Sequence, residues 1–201
     1  MIFRILVGCV VLVTIFFLYQ MYGYRYVLDD IRQTASSATI MGSEAAPINI
    51  LAYLDYGSSW SRRANPVLLQ VLSENPDVNL IIRPYPGVSE SSRFAARLAL
   101  AAIEDNDFLD VHTILMEAPN DLPEEYLKQA IFRSGLNYDK LANRAYDDHI
   151  SQIIKDTKTE ALLLGVDKTP HIYIEHIPLE SGGSSFADME DIINDIRRGY
   201  R

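Results

Sequence analysis

The sequence predicts an α/β fold in which a sheet domain carries an all-helical insertion, preceded by one N-terminal transmembrane helix. Three observations predict it. Ile5 to Tyr24 is a run of 20 residues without a charge, rich in Leu, Val, Ile and Phe. Three short apolar runs bounded by turn-type residues, 47–54, 78–85 and 171–175, read as strands. Between the second and third, the apolar spacing becomes helical from about residue 90 to 164. Helices clustered between strands point to an insertion in a sheet domain.

Taking the chain in order, residues 1–25 form the anchor. About 20 apolar residues at 1.5 Å each span a hydrocarbon core of ~30 Å. Arg4 precedes the run, Arg25 follows it, and Tyr19, Tyr22, Tyr24 and Tyr26 cluster where an interfacial belt is expected. A cleavable signal would have a shorter apolar region, and the small residues Ser36-Ser37-Ala38 lie well downstream of it. Leu6-Val7-Gly8-Cys9 has the form of a lipobox, but the apolar run continues past it. Cys9 is therefore read as a small apolar residue in a lipid-embedded helix. The body after residue 25 has 16 Lys+Arg against 27 Asp+Glu, a net −11. The N-terminus is placed in the cytoplasm and the body outside it.

Residues 26–41 are polar and Ser/Thr/Ala-rich and read as a linker, with Leu28 and Ile31 prolonging the helix for a turn. The domain proper is 42–201. After the first strand, Asp55-Tyr56-Gly57-Ser58-Ser59 reads as a turn ending in helix N-cap residues. A helix follows from about Ser59 to Ser73, with Pro66 predicting a kink. The insertion is expected as helices over 91–103, 108–116, 123–134 and 139–164, with Gly135 as a C-cap. Thr169-Pro170 leads into the third strand. A Gly182-Gly183 turn then precedes an amphipathic helix over 186–198.

Four stretches in this order resemble the DsbA-like branch of the thioredoxin superfamily. Gly42-Ser43-Glu44-Ala45-Ala46-Pro47-Ile48 is similar to the stretch that opens the family's first strand. Asp55-Tyr56-Gly57-Ser58-Ser59-Trp60-Ser61 sits where the family carries Asp-Tyr-x-Cys-Pro-x-Cys. Arg83-Pro84-Tyr85-Pro86 followed by Ser91-Ser92-Arg93-Phe94-Ala95-Ala96 resembles the passage into the helical insertion. Gly165-Val166-Asp167-Lys168-Thr169-Pro170 resembles Gly-Val-x-x-Thr-Pro, whose proline is cis. The resemblance implies a thioredoxin-like fold with a helical insertion, on the non-cytoplasmic side of a membrane. It also implies a peptide groove to which Trp60, Thr169, Pro170 and His171 would contribute.

The chain departs from the family at its chemistry. Ser58 and Ser61 stand at the two cysteine positions, so Ser58, Ser59, Trp60 and Ser61 make a degenerate redox motif. In a working motif the helix N-terminus lowers a cysteine's pKa, and the thiolate attacks a disulfide. A serine hydroxyl is far less acidic and forms no S–S analogue. Cys9 is the only cysteine in the sequence, so dithiol–disulfide exchange by this domain is excluded by composition. Ser58 is expected to cap the helix instead.

The remaining composition narrows the function further. A pI near 4.9 and a net charge of −9 argue against nucleic-acid binding. No spacing among His112, His149, His171 and His176 suggests a metal site, and no cofactor is called for. The expected function is a redox-inactive, single-pass protein of the inner membrane with its body in the periplasm or its equivalent. It would bind a peptide or protein partner in a chaperone-like, assembly or scaffold role. The alternative is a kappa-type glutathione transferase or isomerase, whose Ser-Pro-x-Ser motif resembles Ser58-x-x-Ser61. Ser59 stands where that motif has proline.

Overall fold

The computed structural model describes residues 2–179 and 185–200, with the side chains of 2–9 and 15–21 outside the description. The readings of Cys9 and of the Gly182-Gly183 turn fall outside it. The chain divides into two compact units, Met1–Thr34 and Ala35–Arg201.

The first unit is a single helix, α1 (Ile2–Thr34). It covers the expected span and runs on through much of the expected linker. Local bonds carry it there: Arg32 pairs with Asp29 at 3.3 Å, and the Thr34 hydroxyl donates to the Asp30 carbonyl at 2.8 Å. Among the described residues no helix is long and apolar enough to cross a membrane. Much of the Ile5–Tyr24 run lies where side chains are not described.

The second unit is a five-stranded sheet with helices. Its elements are β1 (Ile40–Met41), β2 (Ile48–Leu54), α2 (Ser59–Glu74), β3 (Val78–Pro84), α3 (Glu90–Ala101), α4 (Phe108–Glu117) and α5 (Glu124–Arg133). They continue with α6 (Tyr138–Arg144), α7 (Asp148–Leu163), β4 (His171–Ile174), β5 (Ile177–Leu179) and α8 (Phe186–Arg197). The sheet order is β1-β3-β2-β4-β5, with β2 and β3 parallel and the other neighbours antiparallel. The central strands are buried almost throughout. Burial on both faces is why they read as continuous apolar runs rather than alternating ones. Ile50, Ala52 and Leu54 of β2 join Leu80 and Ile82 of β3 in one apolar core with Leu68 and Val71 of α2, Leu98 of α3 and Ile193 of α8.

Three local features differ from expectation. The helix expected over 139–164 is two, α6 and α7, separated at Ala145–Asp147. Asp147 and Asp148 start α7 and are exposed there, where acidic side chains favour a helix N-terminus. β1 falls inside the expected linker, where Ile40 and Met41 pair with Ile81 and Leu80. β5 forms because Glu175 adopts φ +54° and turns the chain back on β4. Elsewhere α2 runs through Pro66. Gly135, at φ +81°, terminates α5, with the Leu136 amide donating to the Ile131 carbonyl.

Candidate functional site

β2 delivers the motif loop. It ends at Leu54, and Asp55–Gly57 turns into α2. Ser58 is the N-cap, extended at φ −90° and ψ 121°, and its Oγ accepts from the Ser61 amide at 3.3 Å. Only a residue with a side-chain acceptor satisfies that amide, which has no partner in the first turn.

A buried carboxylate fixes the loop. One oxygen of Asp55, Oδ1, accepts from the Gly57 amide at 2.8 Å and from the Ser92 hydroxyl. The Gly87 amide donates to the Ser92 Oγ at 3.0 Å. The Asp55 amide donates to the Ser61 Oγ at 3.1 Å. Asp55 therefore joins the motif loop, α2, the loop after β3 and α3. A Cβ at Gly87 would lie 2.7 Å from Asp55 Oδ2, so any side chain there would displace the clamping carboxylate.

The four motif residues occupy different environments. Ser61 is fully buried, with its hydroxyl committed to the Asp55 amide. Ser58 is half-buried and Ser59 exposed. Trp60 is 54% exposed, with the Arg63 guanidinium 5.3 Å from its ring centre. Trp60 is thus the motif's large exposed apolar side chain.

Beneath the loop lies a polar triad that links α2 to the insertion. Tyr56 Oη is 3.0 Å from His112 Nδ1, and His112 Nε2 is 3.1 Å from Asn65 Oδ1. Phe108 stacks on the imidazole at 6.0 Å. Burial pushes His112 down to about 4 and raises Tyr56, so both are neutral at ordinary pH. A proton on Nε2 satisfies all three groups: Nε2–H donates to Asn65, and the Tyr56 hydroxyl donates to Nδ1. Arg62 adds a second strap, donating to the Ala118, Pro119 and Asn120 carbonyls.

The Thr169–Pro170 peptide is cis. Tyr53 of β2 pairs with His171 of β4, so the antiparallel register sets Thr169-Pro170 alongside the start of the motif loop. Trp60, Thr169 and Pro170 thus come from segments brought to one end of the sheet. His171 is placed differently from the other three. It lies in a cross-strand row with Tyr53 and Arg83, and its ring sits 4.9 Å from that of Tyr173. Both its ring nitrogens and the Tyr53 hydroxyl are enclosed, with no hydrogen-bond partner among the described residues. Burial lowers the His171 pKa and raises that of Tyr53. Arg83 in the same row pairs with Glu160 of α7 at 2.8 Å.

Among the described residues no group of three or more His, Cys, Asp or Glu is placed to hold a metal ion. Asn65 and Ser92 were not apparent as supporting residues in the linear pattern. The local signal for the clamp is Asp55 two residues before Gly57, the spacing of an Asx turn.

Comparison with known proteins agrees with this geometry. A family model described as thioredoxin matches residues 34–195. Among solved structures, a thioredoxin-like oxidoreductase from Silicibacter pomeroyi is 24% identical, with a TM-score of 0.73 over 79% of this chain and 91% of that one. The catalytic domain of Proteus mirabilis ScsC is 22% identical, with a TM-score of 0.73 over 85% and 97%. The thiol-disulfide exchange protein alpha-DsbA2 from Wolbachia pipientis is 19% identical, with a TM-score of 0.74 over 86% and 95%. At these identities the likeness is one of fold. A curated relative, the Na(+)/H(+) antiporter NhaA 3 of Salinispora tropica, is 24% identical over 137 residues, which cover 67% of this chain but 21% of the antiporter.

Proposed function

The chain belongs to the thioredoxin family, and from that membership we propose that it is a redox-inactive, membrane-anchored DsbA-like protein that binds a peptide or protein partner. One observation carries the reading. The strand, the clamped turn and the capped helix are all kept, in a chain whose only cysteine is Cys9. The serines at 58 and 61 hold the loop's shape through the cap and the Asp55 amide, without a thiolate to exchange. Trp60, with Thr169 and Pro170 alongside, supplies the contact surface, and His171 lies in the sheet row next to it. The uncharged run from Ile5 to Tyr24 supports a single-pass anchor, with the domain on the non-cytoplasmic side of the inner membrane. The role is chaperone-like, or that of an assembly or scaffold component.

The glutathione-dependent reading is not favoured, since two of the structural relatives are named as an oxidoreductase and a thiol-disulfide exchange protein. In-cell crosslinking followed by mass spectrometry tests the proposal. The wild-type chain is expected to crosslink partner peptides from membrane fractions, and Trp60→Ala to lose them. Partners retained in full by Trp60→Ala combined with Thr169→Ala would overturn the motif-face reading. Saturable glutathione binding with a lowered thiol pKa would restore the transferase alternative.

A further inference from the structure

The helical insertion has an open cleft of about 600 Å³ between the start of α3, the segment leading into α5, and α6. That size is within the range of ligand-binding clefts. Its walls combine aromatic rings and guanidinium groups: Phe94, Tyr138 and Tyr146 line it together with Arg93 and Arg97. The Phe94 and Tyr146 rings lie 6.1 Å apart, and Tyr146 is 70% exposed.

Two arginines and two glutamates, Glu90 and Glu124, share the cleft lining. Arg93 donates to the Val88 carbonyl, and Arg97 donates to the Ala145 carbonyl and the Ser151 hydroxyl, both at 3.0 Å. Among the described residues neither guanidinium pairs with a carboxylate. Arg83, Arg144, Arg197 and Arg198 all do. Each of the two cleft arginines uses only its Nη1 in these bonds, and a guanidinium has five N–H donors. The two lining carboxylates are placed away from these guanidinium groups. Glu124 pairs with Lys128 at 2.9 Å, and Glu90 sits in the first turn of α3, where the helix N-terminus offsets it. In a chain of net charge −9, this leaves an aromatic recess in which two guanidinium groups keep N–H donors that no carboxylate takes among the described residues.

We propose that this cleft docks an acidic peptide segment of a partner protein. An aromatic or large apolar side chain of that segment packs against Phe94 and Tyr146, and an adjacent carboxylate takes the free N–H groups of Arg93 and Arg97. Aromatic and arginine side chains are the groups that carry most interface energy, and arginine forks match carboxylates. None of the cleft's lining residues belongs to the motif or to the cis-proline segment.

The test uses the full-length chain in detergent and a short fluorescein-labelled peptide in which Phe is flanked by Asp and Glu. Matched peptides carry Lys for the acids, or Ala for Phe. Saturable anisotropy binding is expected for the acidic aromatic peptide alone, weakening as salt is raised. Arg93→Glu and Tyr146→Ala are each expected to weaken it by about tenfold without changing the melting temperature, because both side chains are exposed. Arg93→Gln, which keeps a donor for the Val88 carbonyl, serves as a second variant if the reversal disturbs folding. Trp60→Ala is expected to leave this binding unchanged, which separates the cleft from the motif face. Equal binding of the Lys peptide, or binding that survives both cleft variants, would overturn the proposal.

Discussion

Buried between Tyr56 and Asn65, neither of them a carboxylate, the His112 imidazole is held neutral by its burial, and the fold is expected to be sensitive to acid. The unfolded chain binds a proton at the ordinary histidine value near 6.5, whereas the folded one does so at about 4. Between those values the unfolded state holds more protons, so stability is full above the unfolded pKa and falls as pH drops toward the folded one. The accumulated loss approaches about 3 kcal/mol below pH 4. Urea unfolding at pH 7, 5.5 and 4 is expected to show that decline, and His112→Gln to flatten it. A parallel decline in the variant would move the cause elsewhere. His171, also lowered by burial, adds to the slope with the same sign. At this scale, legibility depended on distance along the chain. The Ser58 cap spans three residues and is visible in sequence. The partners of His112 lie 47 and 56 residues away, so nothing in the linear pattern assigns them.

At the scale of the element, the cap is the clearest device. Ser58 satisfies an amide of the first turn of α2, and Ser58→Ala is expected to cost about 1 kcal/mol in denaturant unfolding, whereas Ser58→Asn leaves stability nearly unchanged. An alanine variant as stable as wild type would show that the cap bond contributes nothing. The long central strands and the helices with strong apolar spacing were readable because burial imposes their pattern. The division between α6 and α7 was not, because Ala145 to Asp147 interrupts no apolar period. β1 and β5 are two and three residues long and exist through pairing with β3 and β4, which local propensity does not encode.

For the whole molecule, the family scaffold makes its own test possible. Ser58 and Ser61 are three residues apart at a helix start, a spacing whose Cα separation suits a disulfide. One position is half-buried at the N-terminus and the other fully buried. Ser58→Cys combined with Ser61→Cys is expected to give an intramolecular disulfide and measurable thiol–disulfide exchange, followed by insulin reduction, with a lowered thiol pKa at position 58. A well-folded double variant with no exchange would show that the site departs from the family by more than its serines. By itself the sequence determined the strand–helix–strand frame, the helical insertion, the capped turn and the serines at both motif positions. Each follows from local spacing or from residue identity. Only the tertiary structure decided that Ser61 is enclosed while Trp60 is exposed, and that Asp55 ties four segments together. It alone set His171 in a sheet row with Tyr53 and Arg83, and placed in an aromatic cleft two arginines with no carboxylate partner among the described residues. Burial and polar partnership are properties of the packed chain, set by which distant segments the sheet register and the helical insertion bring into contact.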